Sequence, residues 1–368
     1  MLHEADFELE ETPIGPSPRA AIAFMTPYSS GRAPGRQGLI LDENEGPEPP
    51  AAVLRTLQRV AAEAVRRYPD ASALTDLIAA RHGIDASQVF VTAGADEALD
   101  RLCRAYLEPG REAILSSPTF EMLVRYVRLT GAELVQIPWV NGEFPTADVY
   151  NHVTSQTTMV AVVSPNNPTG LAAREEDLRA VAAVCPQALV VLDHAYAEYA
   201  DHDLTDVALS FPNVVVTRTL SKAWGLAGIR VGYTLGPRDV IRAMRSAGAA
   251  YPVSALSCAL AASRLETDHG ELREHVEQVR RERQMLTILL RSLGAVVPDS
   301  QANFILARWA IARPMHAALT DRNVFVKLLP PSGPLGPALR IGCPGSESSS
   351  RFLRSSILEA HQEVCRHG

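Results

Sequence analysis

The chain has 368 residues, 46% hydrophobic content and a formal net charge of -7 at pH 7. That supplies a full apolar core, and at roughly 150 residues per domain the length suggests two domains. The acidic balance leaves no electrostatic footprint for nucleic acid, no polybasic run marks a membrane surface, and no window approaches the roughly 18 apolar residues of a bilayer span.

Small molecules are therefore the expected partners, with no nucleic acid and no membrane. The start is acidic from His3 to Glu11 and lacks a basic stretch followed by an apolar one, which points to a cytoplasmic protein. Five cysteines (Cys103, Cys185, Cys258, Cys343, Cys365) are scattered and odd in number, with no CxxC pair. Reduced thiols are expected, with neither a disulfide framework nor a metal site.

Residues 1–48 carry prolines at 13, 16, 18, 27, 34 and 47 and little periodicity, so they read as an extended N-terminal arm. Pro49 and Pro50 precede Ala51 to Arg67, where Val53, Leu54, Leu57, Val60, Ala61, Ala64 and Val65 recur at helical spacing and predict one helix ending at Tyr68-Pro69. From there, short β-rich runs alternate with helical patterns: Val89 to Thr92, Ala113 to Leu115, Leu134 to Pro138, Met159 to Val163, Leu189 to Leu192, Val214 to Thr217 and Arg230 to Thr234. Such alternation predicts an α/β fold, a mainly parallel doubly wound sheet flanked by helices, over 49–260. After residue 250 the pattern turns to long helices (Leu272 to Leu293, Ser349 to Val364) and short strands near Phe304 to Ala307, Val324 to Lys327 and Leu339 to Gly342. This reads as a smaller α+β domain over 261–368, completed by the N-terminal arm.

One compositional detail bears on chemistry. Of the 35 basic residues only Lys222 and Lys327 are lysines, and the rest are arginines. Arginine cannot lose its proton near neutral pH and forms no imine, whereas lysine can. A lysine that survives this bias is a candidate for chemistry, although two chance survivors on the surface fit the composition equally well.

Four polar motifs follow strands directly, where a doubly wound sheet binds its ligands. Thr219-Leu220-Ser221-Lys222, with Gly228-Ile229-Arg230 close behind, gathers two hydroxyls, a lysine and a guanidinium. Those groups suit a phosphate dianion and an aldehyde on one ligand, and equally an ordinary turn. Asp193, in Leu192-Asp193-His194-Ala195-Tyr196, could pair with a protonated ring nitrogen or cap a helix. Ser164-Pro165-Asn166-Asn167-Pro168-Thr169-Gly170 is a tight loop whose carboxamide could meet a phenolic oxygen. Thr92-Ala93-Gly94-Ala95-Asp96 opens a helix, and its free amides form an anion site there, as in many α/β proteins.

The order of all four is specific. With Leu41-Asp42-Glu43-Asn44-Glu45-Gly46-Pro47, Arg67-Tyr68-Pro69, Ser117-Pro118-Thr119-Phe120 and Ala338-Leu339-Arg340-Ile341-Gly342, the chain resembles the fold-type I pyridoxal phosphate enzymes. Within them it is similar to the class I/II aminotransferases of the histidinol-phosphate type, over nearly its whole length. The resemblance implies pyridoxal 5′-phosphate as cofactor, a small-molecule amino donor, a 2-oxo acid acceptor such as 2-oxoglutarate, and a homodimer. It makes Lys222 the residue that carries the cofactor and moves the proton as general base and acid. Asp193 would meet the ring nitrogen, Asn167 and Tyr196 the phenolic oxygen, and Phe120 would stack on the ring. The cofactor phosphate would sit among Gly94, Ala95, Asp96, Thr219, Ser221 and Arg230, with Tyr68 reaching it from a partner subunit. Arg340 would clamp the α-carboxylate of glutamate, with Asn44 a further substrate contact.

The chain departs from the pattern at His194 (usually an acid), Phe120 (usually tyrosine), Gly46 (usually asparagine) and Lys327 (often arginine nearby). Lys327 either holds a substrate phosphate or is a solvated strand residue. Histidinol phosphate is the leading donor. The alternatives are an aromatic or other amino acid aminotransferase, a decarboxylase of the threonine-phosphate type, or a non-catalytic cofactor-binding protein on the same scaffold.

Overall fold

The computed structural model describes residues 18–23, 25–27, 35–267 and 269–367. Most of the proline-rich arm lies outside the described residues. In chain order the strands are β1 Leu39–Ile40, β2 Val89–Thr92, β3 Glu112–Ser117, β4 Glu133–Pro138, β5 Thr157–Val163, β6 Leu189–Asp193, β7 Val214–Thr219 and β8 Gly232–Leu235. They continue with β9 Phe304–Arg308, β10 Val324–Phe325, β11 Lys327–Leu328 and β12 Ala338–Gly342.

Seven of them form a sheet in the order β2-β8-β7-β6-β5-β3-β4, parallel except where β8 runs antiparallel to β2 and β7. Every residue of β6 and β7 is buried, as the unbroken runs of β-branched residues require of strands covered on both faces. Their alternation divides the core. Val191 and Val215 join Leu99, Leu102, Leu123 and Met244 on one face, while Val190, Leu192, Val214 and Val216 join Leu178 and Val181 on the other. Each such side chain contributes roughly 1.5–3 kcal/mol on burial.

The helix Gly94–Tyr106 packs its Leu99 and Leu102 face on the sheet. Asp96 and Glu97 complement its positive N-terminal end, and the Glu97 carboxylate accepts the Ala93 N–H at 2.6 Å. Glu97 also pairs at 2.7 Å with Arg101, a fully buried guanidinium that donates to the carbonyls of Met244 and Ala249. These bonds fix where that helix begins, at the carboxyl end of the sheet.

The remaining strands order as β11-β12-β9, all antiparallel, with the helix Gly270–Ser292 packed against β9. β1 pairs in parallel with β10, Leu39 opposite Val324, so the N-terminal segment joins this later part of the chain. Three sequence expectations change here. The run Val324 to Lys327 is two strands in two sheets, turning at the buried Val326. The expected helix Ala51 to Arg67 is three short pieces, Ala51–Leu54, Arg55–Arg59 and Ala62–Arg66. Of its apolar stripe Val53 is buried, while Leu54, Leu57 and Val65 face outward with no protomer core to pack against, so periodicity alone did not produce a continuous helix. Likewise Arg230 stands before its strand, in left-handed backbone at φ 54, and β8 begins at Gly232.

Residues 41–47 form a strap between the two sheets. Leu41 N–H donates to Phe325 O, and Asn303 Nδ2 donates to Asn44 O at 3.2 Å. At Gly46 a Cβ would stand 1.6 Å from the Lys222 carbonyl oxygen. The glycine that departs from the family pattern is therefore a steric requirement of this strap. Gly46→Ala is expected to cost roughly 1–3 kcal/mol or more, since both clashing partners are backbone. Thermal unfolding with an unchanged midpoint would contradict that close approach.

Candidate active site

A cleft of about 340 Å³ opens at the carboxyl ends of β5, β6 and β7, between the seven-stranded sheet, the strap and β11–β12. Its lining includes Asn44, Ala95, Asp96, Phe120, Asn167, Asp193, Tyr196, Thr219, Ser221, Lys222, Arg230, Lys327 and Arg340. The sequence motifs thus converge in one place.

At one end lies a cradle for an anion. The Ser221 N–H and the Thr219 hydroxyl bond each other's side of a tight loop, with Thr219 Oγ1 and Ser221 Oγ 2.9 Å apart. Arg230 Nη1 is 3.5 Å from Ser221 Oγ, and its Nη2 donates to Asp96 at 3.0 Å. Gly94, at φ +80, is not itself a wall residue, yet a Cβ there would stand 2.6 Å from Arg230 Nη2. A bare glycine lets the guanidinium approach the start of the helix. Two hydroxyls, a guanidinium and helix N-terminal amides fit a phosphate dianion.

At the other end Asp193 closes β6 with its carboxyl buried, accepting from Ala195 N–H at 3.2 Å and Thr217 Oγ1 at 3.4 Å. Burial pushes this carboxyl up to about 6. An acid so short of solvent gains most from a cationic ring nitrogen. Phe120, Val163 and Ala195 line the space between, suited to a flat ring.

Lys222 Nζ donates to Glu43 O of the strap at 3.0 Å and stands 5.6 Å from the Tyr196 ring centroid. Tyr196 OH accepts from Asn44 Nδ2 at 3.1 Å. Arg340 is buried, donates Nη1 to Asn167 Oδ1 at 2.8 Å and Nη2 to Asp42 O, and lies opposite Lys327 in the β11–β12 register. Lys327 is a half-buried wall residue of the cleft.

The family model for aminotransferase class I and II matches residues 37–350. The chain belongs to the class I and II aminotransferases. It is similar to the histidinol-phosphate aminotransferase of Yersinia pestis (strain Pestoides F), at 34% identity over 319 residues, 84% of this chain and 82% of that relative. A solved structure of the histidinol-phosphate aminotransferase from Sinorhizobium meliloti, in complex with pyridoxal-5'-phosphate, superposes with a TM-score of 0.80 at 25% identity. That match covers 89% of this chain and 91% of that one. The aspartate aminotransferase of Thermus thermophilus with maleate shares the fold at a TM-score of 0.75 and 23% identity, over 89% and 92% of the two chains. The protein is a fold-type I aminotransferase that uses pyridoxal 5′-phosphate, and the phosphate cradle and Asp193 fit the two ends of that cofactor.

Two further residues named in the sequence lie off this cleft wall: His194, and Tyr68, which was expected at a partner subunit's cleft. His194 is absent from the cleft wall, because side chains alternate across a strand end and Asp193 takes the inward position. Its buried ring bonds Ser164 O through Nδ1 and accepts Leu204 N–H at 3.2 Å through Nε2, so the missing acid is replaced by a structural tie. Tyr68 is 80% exposed, outside its own cleft, and stacks on Tyr251 at 4.7 Å. Sequence reading missed the wall formed by Leu329, Pro330, Gly333, Pro334 and Leu335. Its signal was the Pro/Gly-rich loop between two strands.

An Asp with an ordinary value of 3.8 that rises to about 6 on folding keeps its proton longer folded than unfolded. It therefore removes stability as pH rises from about 4 to about 6. In cofactor-free aminotransferase, Asp193→Asn should gain up to roughly 3 kcal/mol relative to wild type between pH 4 and pH 7. Urea unfolding at both pH values checks this, and an equal difference at each would contradict it.

Proposed function

We propose that this aminotransferase moves an amino group between histidinol phosphate and 2-oxoglutarate, acting in the cytoplasm as a homodimer. The observation that carries the donor assignment is the pairing of two cations, Lys327 and Arg340, on neighbouring strands at the cleft. A carboxylate beside the reacting carbon needs one guanidinium. A phosphate in its place carries nearly twice the charge and calls for a second cation. The similarity to histidinol-phosphate aminotransferases supports the same donor.

When bound, pyridoxal 5′-phosphate supplies an aldehyde for the amine and a ring that withdraws electrons from the reacting carbon. Around it the residues divide the work. Lys222 would hold the aldehyde until the donor's amine displaces it, and its freed amine would then take and return the proton of the donor's α-carbon. Asp193 keeps the ring nitrogen protonated, while Asn167 and Tyr196 hold the phenolic oxygen. Phe120 packs on the ring face. Thr219, Ser221, Arg230 and the amides of Ala95 and Asp96 hold the cofactor phosphate, with Gly94 leaving room for Arg230 and Tyr68 of the partner subunit adding a hydroxyl. Arg340 takes the α-carboxylate of glutamate, with Asn44 steadying Tyr196 beside it. The dimer reading is supported by the exposed Leu54, Leu57, Tyr68, Tyr251 and Leu256, which a second copy would cover. We place the division between the two domains near residue 260, with the arm joined to the second.

A donor series read at the cofactor absorbance tests the assignment, comparing histidinol phosphate, phenylalanine and glutamate. Conversion by histidinol phosphate and glutamate is expected, without release of carbon dioxide. Response to phenylalanine alone, or carbon dioxide release, would reverse the reading. Lys327→Ala should raise KM for histidinol phosphate by about tenfold or more while changing that for glutamate less, the loss of one charge-assisted contact. Equal rises for both would contradict a phosphate role.

A further inference from the structure

Four acids line the cleft: Glu43, Asp96, Glu121 and Asp193. Three are engaged. Asp96 pairs with Arg230 at 3.0 Å, Glu121 with Arg125 at 2.8 Å, and Asp193 accepts from Ala195 and Thr217. Glu43 differs. Its backbone carbonyl takes the Lys222 ammonium, but its Oε1 is shut off from solvent with no hydrogen-bond partner. The next residue of the strap repeats the pattern, for Asn44 Oδ1 is buried and unpartnered while its Nδ2 donates to Tyr196.

A buried carboxylate oxygen without a donor costs the protein free energy on the order of 1–3 kcal/mol or more. Here the cost falls on a cleft residue, the one whose own backbone carbonyl accepts from Lys222. Glu43 is held there by its neighbours: Asp42 O by Arg340, Asn44 O by Asn303. Strap and carboxylate are thus pre-positioned for a donor that a ligand in the cleft can bring. The side chains of Met122, Leu329, Pro330 and Leu335, which also line the cleft, carry no N–H.

We propose that Glu43 is a specificity-determining residue that accepts an N–H from the side chain of the amino donor, selecting an imidazole-type ring over an apolar aromatic one. This rests on the reading of the cleft as the site where the amino donor binds. The same carboxylate disfavours the second carboxylate of a dicarboxylic acceptor, so its removal has opposite effects on the two substrates.

The test uses holoenzyme and two amino alcohols that differ only in the ring, histidinol and phenylalaninol, with dissociation constants read from the cofactor absorbance. Wild type is expected to favour histidinol by about tenfold or more, the range of a hydrogen bond to a charged group. Glu43→Leu, which keeps the bulk without an acceptor, should bring the preference close to one. Glu43→Gln, which keeps a neutral acceptor, should retain part of it, and neither variant should raise KM for 2-oxoglutarate. A preference near one in wild type, an unchanged preference in Glu43→Leu, or a parallel rise in the 2-oxoglutarate KM would overturn the proposal. Turnover of histidinol phosphate by wild type is scored separately. Its failure with the histidinol preference intact would sink the donor assignment and leave the role of Glu43 standing.

Discussion

A lysine that is to carry an aldehyde and later move a proton must be held in one place without a counter-charge, and Lys222 is held by a carbonyl. The bond from its Nζ to Glu43 O, 3.0 Å long, ties the loop after β7 to a strap that arrives from the other end of the chain. The strap is in turn held by Arg340 at Asp42, by Asn303 at Asn44, and by the β1–β10 pairing. One hydrogen bond therefore joins the seven-stranded sheet, the N-terminal segment and the three-stranded sheet at the reactive atom. The glycine at 46 and the turn at Gly225, where a Cβ would meet Pro47 O, let the two backbones run that close.

Charge in the cleft is sorted by the element that carries it. The anion cradle of Thr219, Ser221 and Arg230 lies at the start of the helix Gly94–Tyr106, and the buried acid Asp193 lies at the end of β6. A cofactor with a phosphate at one end and a basic nitrogen at the other satisfies both, which fixes its orientation before any substrate contact is made. Lys327 and Arg340, on the opposite wall, belong to a different sheet. On the proposed roles, substrate contacts and cofactor contacts come from separate sheets, and the bond from Arg340 to Asn167 links the two.

How much of this is legible in the sequence follows from how local each signal is. The strands were legible because runs such as Val160 to Val163 and Leu189 to Leu192 must be buried on both faces wherever they lie. The convergence of Lys222, Asp193, Asn167 and Gly94 was legible because each follows a strand, and parallel strands end on one side. The residues 51–67 misled because apolar helical spacing does not say what the apolar face meets, and here most of it meets no core in the protomer. That Asp193 and not His194 faces the cleft was not legible, because one position along a strand decides inward from outward, and the motif does not state which. Nothing in its motif marks Glu43, since an unpartnered oxygen is a property of three-dimensional neighbours.

The proposed role of Lys222 as the one lysine that carries the cofactor is directly testable, because the chain has only two lysines. Holoenzyme is treated with borohydride to trap the lysine–cofactor link, digested, and its peptides are mapped by mass spectrometry. The account requires the cofactor mass on the peptide containing Lys222 and none on the peptide containing Lys327. A label on Lys327, or an active holoenzyme that yields no label at all, would contradict it.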